Sequence, residues 1–165
     1  EQRLREAVIT RIYEGTNDIH ALEALKTIPK YGTLDALLQD ADENLNTVSD
    51  GTLMPYVEKV RHAIQFARDS YQRFEQLGDI FIANIAAQSQ ARKIAELLTT
   101  IYESSLILEE AQHLVTTRQD WRKAVMAIKY IDDKLSPESE RINTKMTSVK
   151  YFDTIIRHAP LSSLN

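Results

Sequence analysis

Apolar residues recur at spacings of three and four along most of the chain, and the breaks between these stretches fall at its few Gly and Pro residues. Gln2 to Thr10 reads as a short helix, Ile12 to Thr16 as a tight connection containing Gly15, and Asn17 to Thr27 as a second helix stopped near Pro29 and Gly32. Thr33 to Leu45 suits a further helix, with Thr33 as its cap and Leu34, Leu37, Leu38 and Ala41 on one face. Asn46 to Met54 has the polar and glycine content of a linker. Pro55 then stands at a first helical position, where its missing N–H removes no intrahelical bond. Val57, Val60, Ile64, Ala67, Tyr71 and Phe74 form the seam of this helix, and Gly78 ends it.

From Asp79 to Val115 the pattern is long and rich in small residues. Ile94, Leu97, Leu98, Ile101 and Leu108 cover a broad arc that implies deep burial, while Ala86, Ala87, Ala91 and Ser105 permit close helix approach. Thr117 with Asp120 three residues on predicts a fresh helix start, followed by Trp121, Ala124, Val125, Ile128 and Ile131 on one face as far as Leu135. Ser136, Pro137 and Glu138 open a last helix, which turns Ile142, Met146, Val149, Phe152 and Ile156 inward and stops at Pro160. The predicted fold is all-α. Short connections between the four helices from Pro55 to Ala159 make an antiparallel bundle the economical arrangement.

Composition narrows the function. At 165 residues, 43% hydrophobic and 27% charged, the chain can bury a core without disulfides or metal. Its lack of cysteine excludes a disulfide scaffold and a thiolate site, and suits a reducing, cytoplasmic location. A net charge of -4 without a basic stripe argues against nucleic acid as a partner. No apolar run approaches the roughly 20 residues that span a bilayer. The first residues, EQRLREAVITR, lack an initiating Met, an apolar core and a cleavage site, so they do not form a signal peptide and read like a helix entered midway.

The most informative stretch is ITRIYEGTNDIHALEAL, from Ile9 to Leu25, which sets one carboxylate in a glycine-containing turn between two helical patterns. The eight residues IYEGTNDI, Ile12 to Ile19, resemble an element of the acyl-CoA dehydrogenase family that joins two late helices. The resemblance implies α,β-dehydrogenation of a fatty acyl-CoA, with Glu14 taking the α-proton and the β-hydride passing to FAD. It also implies that the backbone N–H of Glu14 donates to the thioester carbonyl, that Gly15 leaves room for the substrate, and that Thr16, Asn17 and Asp18 contact the flavin dinucleotide. Electron-transfer flavoprotein and a second copy of the chain are the partners it suggests. The chain departs from the family at Arg5 to Ile9, where many members carry a second arginine, and at His20, where glutamine is common.

The part beyond Lys26 is similar to the carboxy-terminal helical domain of the very-long-chain branch, most closely over Asn84 to Ala111. The expected organisation is therefore 1–45 as the last helices of the catalytic fold, 46–54 as linker and 55–165 as a helical bundle. Such a domain would pack subunits, cover the flavin region or meet a membrane surface. A carboxy-terminal piece of this kind, inactive alone, competes with a non-catalytic interaction or dimerisation module and with an acyl-CoA oxidase fragment.

Other constellations carry less. His20, His62, His113 and His158 are too dispersed for a metal-ligand pair, so no metal is expected. Adjacent acids such as Glu109 and Glu110, or Asp132 and Asp133, suit solvated faces. Tyr71, Phe74, Trp121, Tyr151 and Phe152 are core candidates first and pocket linings second. No serine sits in the Gly-x-Ser-x-Gly turn of a hydrolase.

Overall fold

A computed structural model describes residues 17–76, 80–137 and 148–164, except for the side chains of 17–19, 25–26, 29, 74–75 and 80–88. The described residues contain helices and no strand. The elements are α1 (Asn17–Tyr31), α2 (Thr33–Asn46), α3 (Met54–Glu75), α4 (Ile80–Arg118), α5 (Arg122–Leu135) and α6 (Phe152–Arg157). Among the described residues no helix is long and apolar enough to cross a membrane. The expected helix over Gln2–Thr10, the Ile12–Thr16 turn, Gly78, Ile142 and Met146 lie outside the described residues.

Several boundaries differ from expectation, each for a local reason. α1 runs through residue 29 and stops only at Gly32, whose φ of +62° is a left-handed conformation that a residue without Cβ adopts without strain. The Gly32 N–H donates to the Ile28 carbonyl at 3.0 Å, and its own carbonyl accepts from the Ala36 N–H at 3.4 Å. One glycine thus closes α1 and opens α2, the role expected of Thr33. α4 continues through Thr117, whose hydroxyl donates back to the His113 carbonyl instead of capping the next helix. Gln119 then turns with a φ of 50°, and α5 begins at Arg122, where the Asp120 carboxylate accepts from the Arg122 N–H at 3.0 Å. The last helical stretch is interrupted at Tyr151, and α6 ends at His158 in a left-handed turn.

The chain divides into two compact units, Glu1–Ala36 with Ala67–Leu98, and Leu37–Phe66 with Thr99–Asn165. In the first, Ala21, Ile28, Leu34, Ala67 and Ala91 are buried.

The second unit holds the larger core. Leu38, Ala41, Leu45, Leu53, Val57, Val60, Ile101, Leu108, Ala111, Val125 and Ile131 are all 0% exposed. Cross-helix bonds give its topology. Lys123 and Tyr130 on α5 meet Glu110 and Glu103 on α4 in opposite order, so these two run antiparallel, while the short connection 47–53 turns α3 back along α2, where Arg61 donates to Asp42 and Asn46. Asp40 and Asn44 on α2 pair with Tyr102 and Ser105 on α4 in increasing order, so these two run parallel. Two antiparallel helical hairpins therefore lie side by side.

The segment between α2 and α3 is an ordered part of this core. Val48 and Leu53 are buried, at 6% and 0% exposure, and the Ser49 and Asp50 N–H groups both donate to Gln112 Oε1 of α4 at 3.0 and 2.8 Å. In contrast, Val149, Phe152 and Ile156, expected to face inward, are 72%, 49% and 60% exposed. Thr154 is the buried residue of α6 instead. Ile94, Leu97 and Leu98 are half-buried, while Ile101 and Leu108 on the same helix are fully enclosed.

Candidate functional site

Glu14, Gly15 and Thr16, the centre of the candidate site, lie outside the described residues. Asn17 and Asp18 are the first two residues of α1, a helix of 15 residues. Two buried side chains, Ala21 and Ile28, hold this helix in its unit at positions seven apart, the spacing of one helix face. The Thr27 hydroxyl donates to the Ala24 carbonyl at 2.7 Å and lies 3.3 Å from that of Thr33. The described chain from Asn17 to Tyr31 is thus a packed helix.

Elsewhere the polar chemistry serves helix pairing. Lys59 Nζ lies 2.6 Å from Asp132 Oδ1 and 2.9 Å from the buried Ser136 hydroxyl, which joins α3 to the end of α5. The phenol of Tyr102 donates to Asp40 at 2.8 Å, and that of Tyr130 donates to Glu103. Neighbouring positions of α4 therefore reach opposite neighbours, Tyr102 toward α2 and Glu103 toward α5. Burial, followed by the Glu103 hydrogen bond and charge, pushes the Tyr130 phenol up to about 12. The Asp120 carboxyl is held below its usual range by the Arg122 guanidinium and N–H, bonds that fix the start of α5. These groups sit in saturated ion pairs and hydrogen bonds, which is the character of structural rather than reacting side chains.

The four histidines are exposed, and no cluster of three or more His, Asp or Glu among the described residues could hold a metal ion. Of the aromatic residues assigned first to the core, Phe152 is exposed and Tyr151 is half-buried at the edge of a cavity. Sequence periodicity could not find that cavity, because its lining comes from four separate segments. The chain matches no known family model, no curated protein and no solved structure.

Proposed function

We propose that this chain is the carboxy-terminal part of a flavin-dependent acyl-CoA dehydrogenase and that Glu14 is its catalytic base. The observation that carries the reading is the run Ile12 to Ile19, IYEGTNDI, in which the acid, the glycine and the polar stretch occur consecutively. The helical character of the described residues and the packed helix from Asn17 support it.

In this reading Glu14 does two things. Its carboxylate removes the α-proton of a fatty acyl thioester, for which burial beside an apolar acyl chain raises its basicity. Its backbone N–H donates to the thioester carbonyl and stabilises negative charge as it develops on that oxygen. Gly15 leaves the adjoining space open. Thr16, Asn17 and Asp18 are the residues that would hold the flavin dinucleotide, and the fit is that of a phosphate group to the N–H groups of a helix start. FAD, when bound, supplies the hydride acceptor. Electron-transfer flavoprotein would reoxidise the dehydrogenase, whereas molecular oxygen would do so in an oxidase, and peroxide yield separates the two.

The test is Glu14→Gln in the longer polypeptide that carries this chain. Dehydrogenation should disappear while the protein stays yellow with flavin, and near-normal turnover would sink the assignment. A second reading, a helical interaction or dimerisation module, is favoured by the exposed apolar strip of Val149, Phe152 and Ile156. It requires that the upstream sequence hold no flavin-binding domain, which determining the residues before Glu1 decides.

A further inference from the structure

The second unit contains a cavity of about 480 Å³, a size within the range of small-molecule sites. Val125 and Ile128 of α5 and Leu164 supply apolar lining, and Tyr56 and Tyr151 supply aromatic lining. The parts of the chain that carry these residues are held by other bonds. The Trp121 N–H donates to the Leu161 carbonyl at 2.9 Å and Arg122 Nη1 donates to the His158 carbonyl at 3.3 Å, which ties the segment after α6 to the start of α5. Val125 is fully buried, so the α5 side of the cavity is part of the core. A ligand entering this space would therefore have little of the chain to order, which favours binding.

Charge does not select the ligand. No carboxylate is among the described lining residues, and Lys150, the one cation among them, already holds its ammonium 5.2 Å from the centroid of the Tyr151 ring and takes part in a further interaction. Burial, and then the charge of Asp132, raises the Tyr56 phenol, so that ring stays neutral as well. An ionic ligand would give up hydration without gaining a counter-charge, whereas an aromatic one gains apolar contact along α5 and ring contact with the tyrosines.

We propose that this cavity binds a small uncharged aromatic molecule, its ring system in contact with Tyr56, Tyr151 and the α5 wall. The exposed strip of Val149, Phe152 and Ile156 is the rival surface for such a molecule, and none of these three residues lines the cavity.

The probe is N-phenylnaphthylamine, an uncharged aromatic fluorophore, compared with its anionic relative anilinonaphthalene sulfonate, both followed by fluorescence as the chain is titrated. The neutral compound should saturate one site per chain and bind at least about threefold more tightly than the anion. Tyr151→Leu keeps an apolar side chain but removes the ring, and should weaken the neutral compound about three- to tenfold, the scale of one aromatic contact. Ile128→Trp adds bulk to the cavity wall and should weaken it by about tenfold or more. Phe152→Ser alters only the exposed strip and should leave binding within about twofold. Circular dichroism and the thermal midpoint confirm that each variant is folded, and if Ile128→Trp does not fold, Tyr151→Leu and Phe152→Ser decide the matter. Tighter binding of the anion, no saturable binding to the unaltered chain, unchanged binding to folded Tyr151→Leu, or loss of binding in Phe152→Ser would each overturn the proposal.

Discussion

Leu53 lies in the segment whose composition reads as a linker, yet its side chain is fully enclosed, at 0% exposure. Its N–H donates to the Asp50 carbonyl at 3.0 Å, and the turn before it is held by the Thr52 N–H on Asp50 Oδ1 at 2.8 Å. Leu53→Ala removes three carbons from this enclosed position. At about 0.8 kcal/mol per buried methylene, the transfer contribution is roughly 2.4 kcal/mol. The cavity left behind adds to it, so a total of about 2–5 kcal/mol is expected. Val149→Ala is the matched control, since Val149 sits at a position of the inward-facing pattern but is 72% exposed. Its cost should stay within about 0.5 kcal/mol.

Urea denaturation followed by far-UV circular dichroism measures both. With a slope of about 2 kcal/mol per molar urea, Leu53→Ala should lower the midpoint by roughly 1–2.5 M, and Val149→Ala by less than about 0.3 M. The order of the two effects is opposite to the one that composition and periodicity imply. A small loss for Leu53→Ala, or a larger loss for Val149→Ala, would refute the placement of both residues.

Ser104 and Ser105 give a second contrast, because both are fully buried but only Ser104 Oγ is without a hydrogen-bond partner among the described residues. Ser104→Ala should be neutral or raise stability by up to about 1 kcal/mol, whereas Ser105→Ala, which removes bonds to the Tyr102 carbonyl and Asn44, should lower it by about 1 kcal/mol. Chemical denaturation of the two variants side by side checks the order, and equal effects would count against the assignment of partners. Tyr130 predicts a pH dependence. Its phenol is raised from 10.0 to about 12, so the folded state keeps a proton that the unfolded state releases. Its stabilising contribution is complete below pH 10 and declines as pH rises toward 12. Tyr130→Phe should flatten that decline in alkaline denaturation series, and an unchanged slope would show that other groups govern it.

The helical class and most helix-lining residues were legible because burial imposes a period of 3.6, which Leu34, Leu38, Val57, Val60, Ile64 and Ile131 all obey. What escaped depends on partners distant in sequence. Val48 and Leu53 are held in place by Gln112, some sixty residues away, and nothing local announces that glutamine's two accepted bonds. Thr117 and Asp120 have the residue types of a helix start, but Thr117 donates its hydroxyl to the His113 carbonyl within α4, and Asp120 instead accepts from the Arg122 N–H two residues on. The pattern of Val149, Phe152 and Ile156 implies one continuous inward-facing helix, whereas the chain turns at Tyr151 and leaves all three exposed. The proposed site, Glu14, Gly15, Thr16, Asn17 and Asp18, is read from adjacency along the chain alone, since Glu14, Gly15 and Thr16 lie outside the described residues. Lys150 and Tyr56 required the fold, because the cavity they line gathers residues from distant segments.

The central claim concerns a proton, and it is tested most directly at the α-carbon of the substrate. The longer polypeptide, loaded with flavin, is mixed with a fatty acyl-CoA labelled with deuterium at the α-position, and loss of the label is followed by mass spectrometry for the unaltered protein and Glu14→Gln. Removal of a positioned general base predicts that label loss slows by about 10²–10⁴-fold while flavin content is retained. Label loss from folded, flavin-loaded Glu14→Gln at the rate of the unaltered protein would contradict the account.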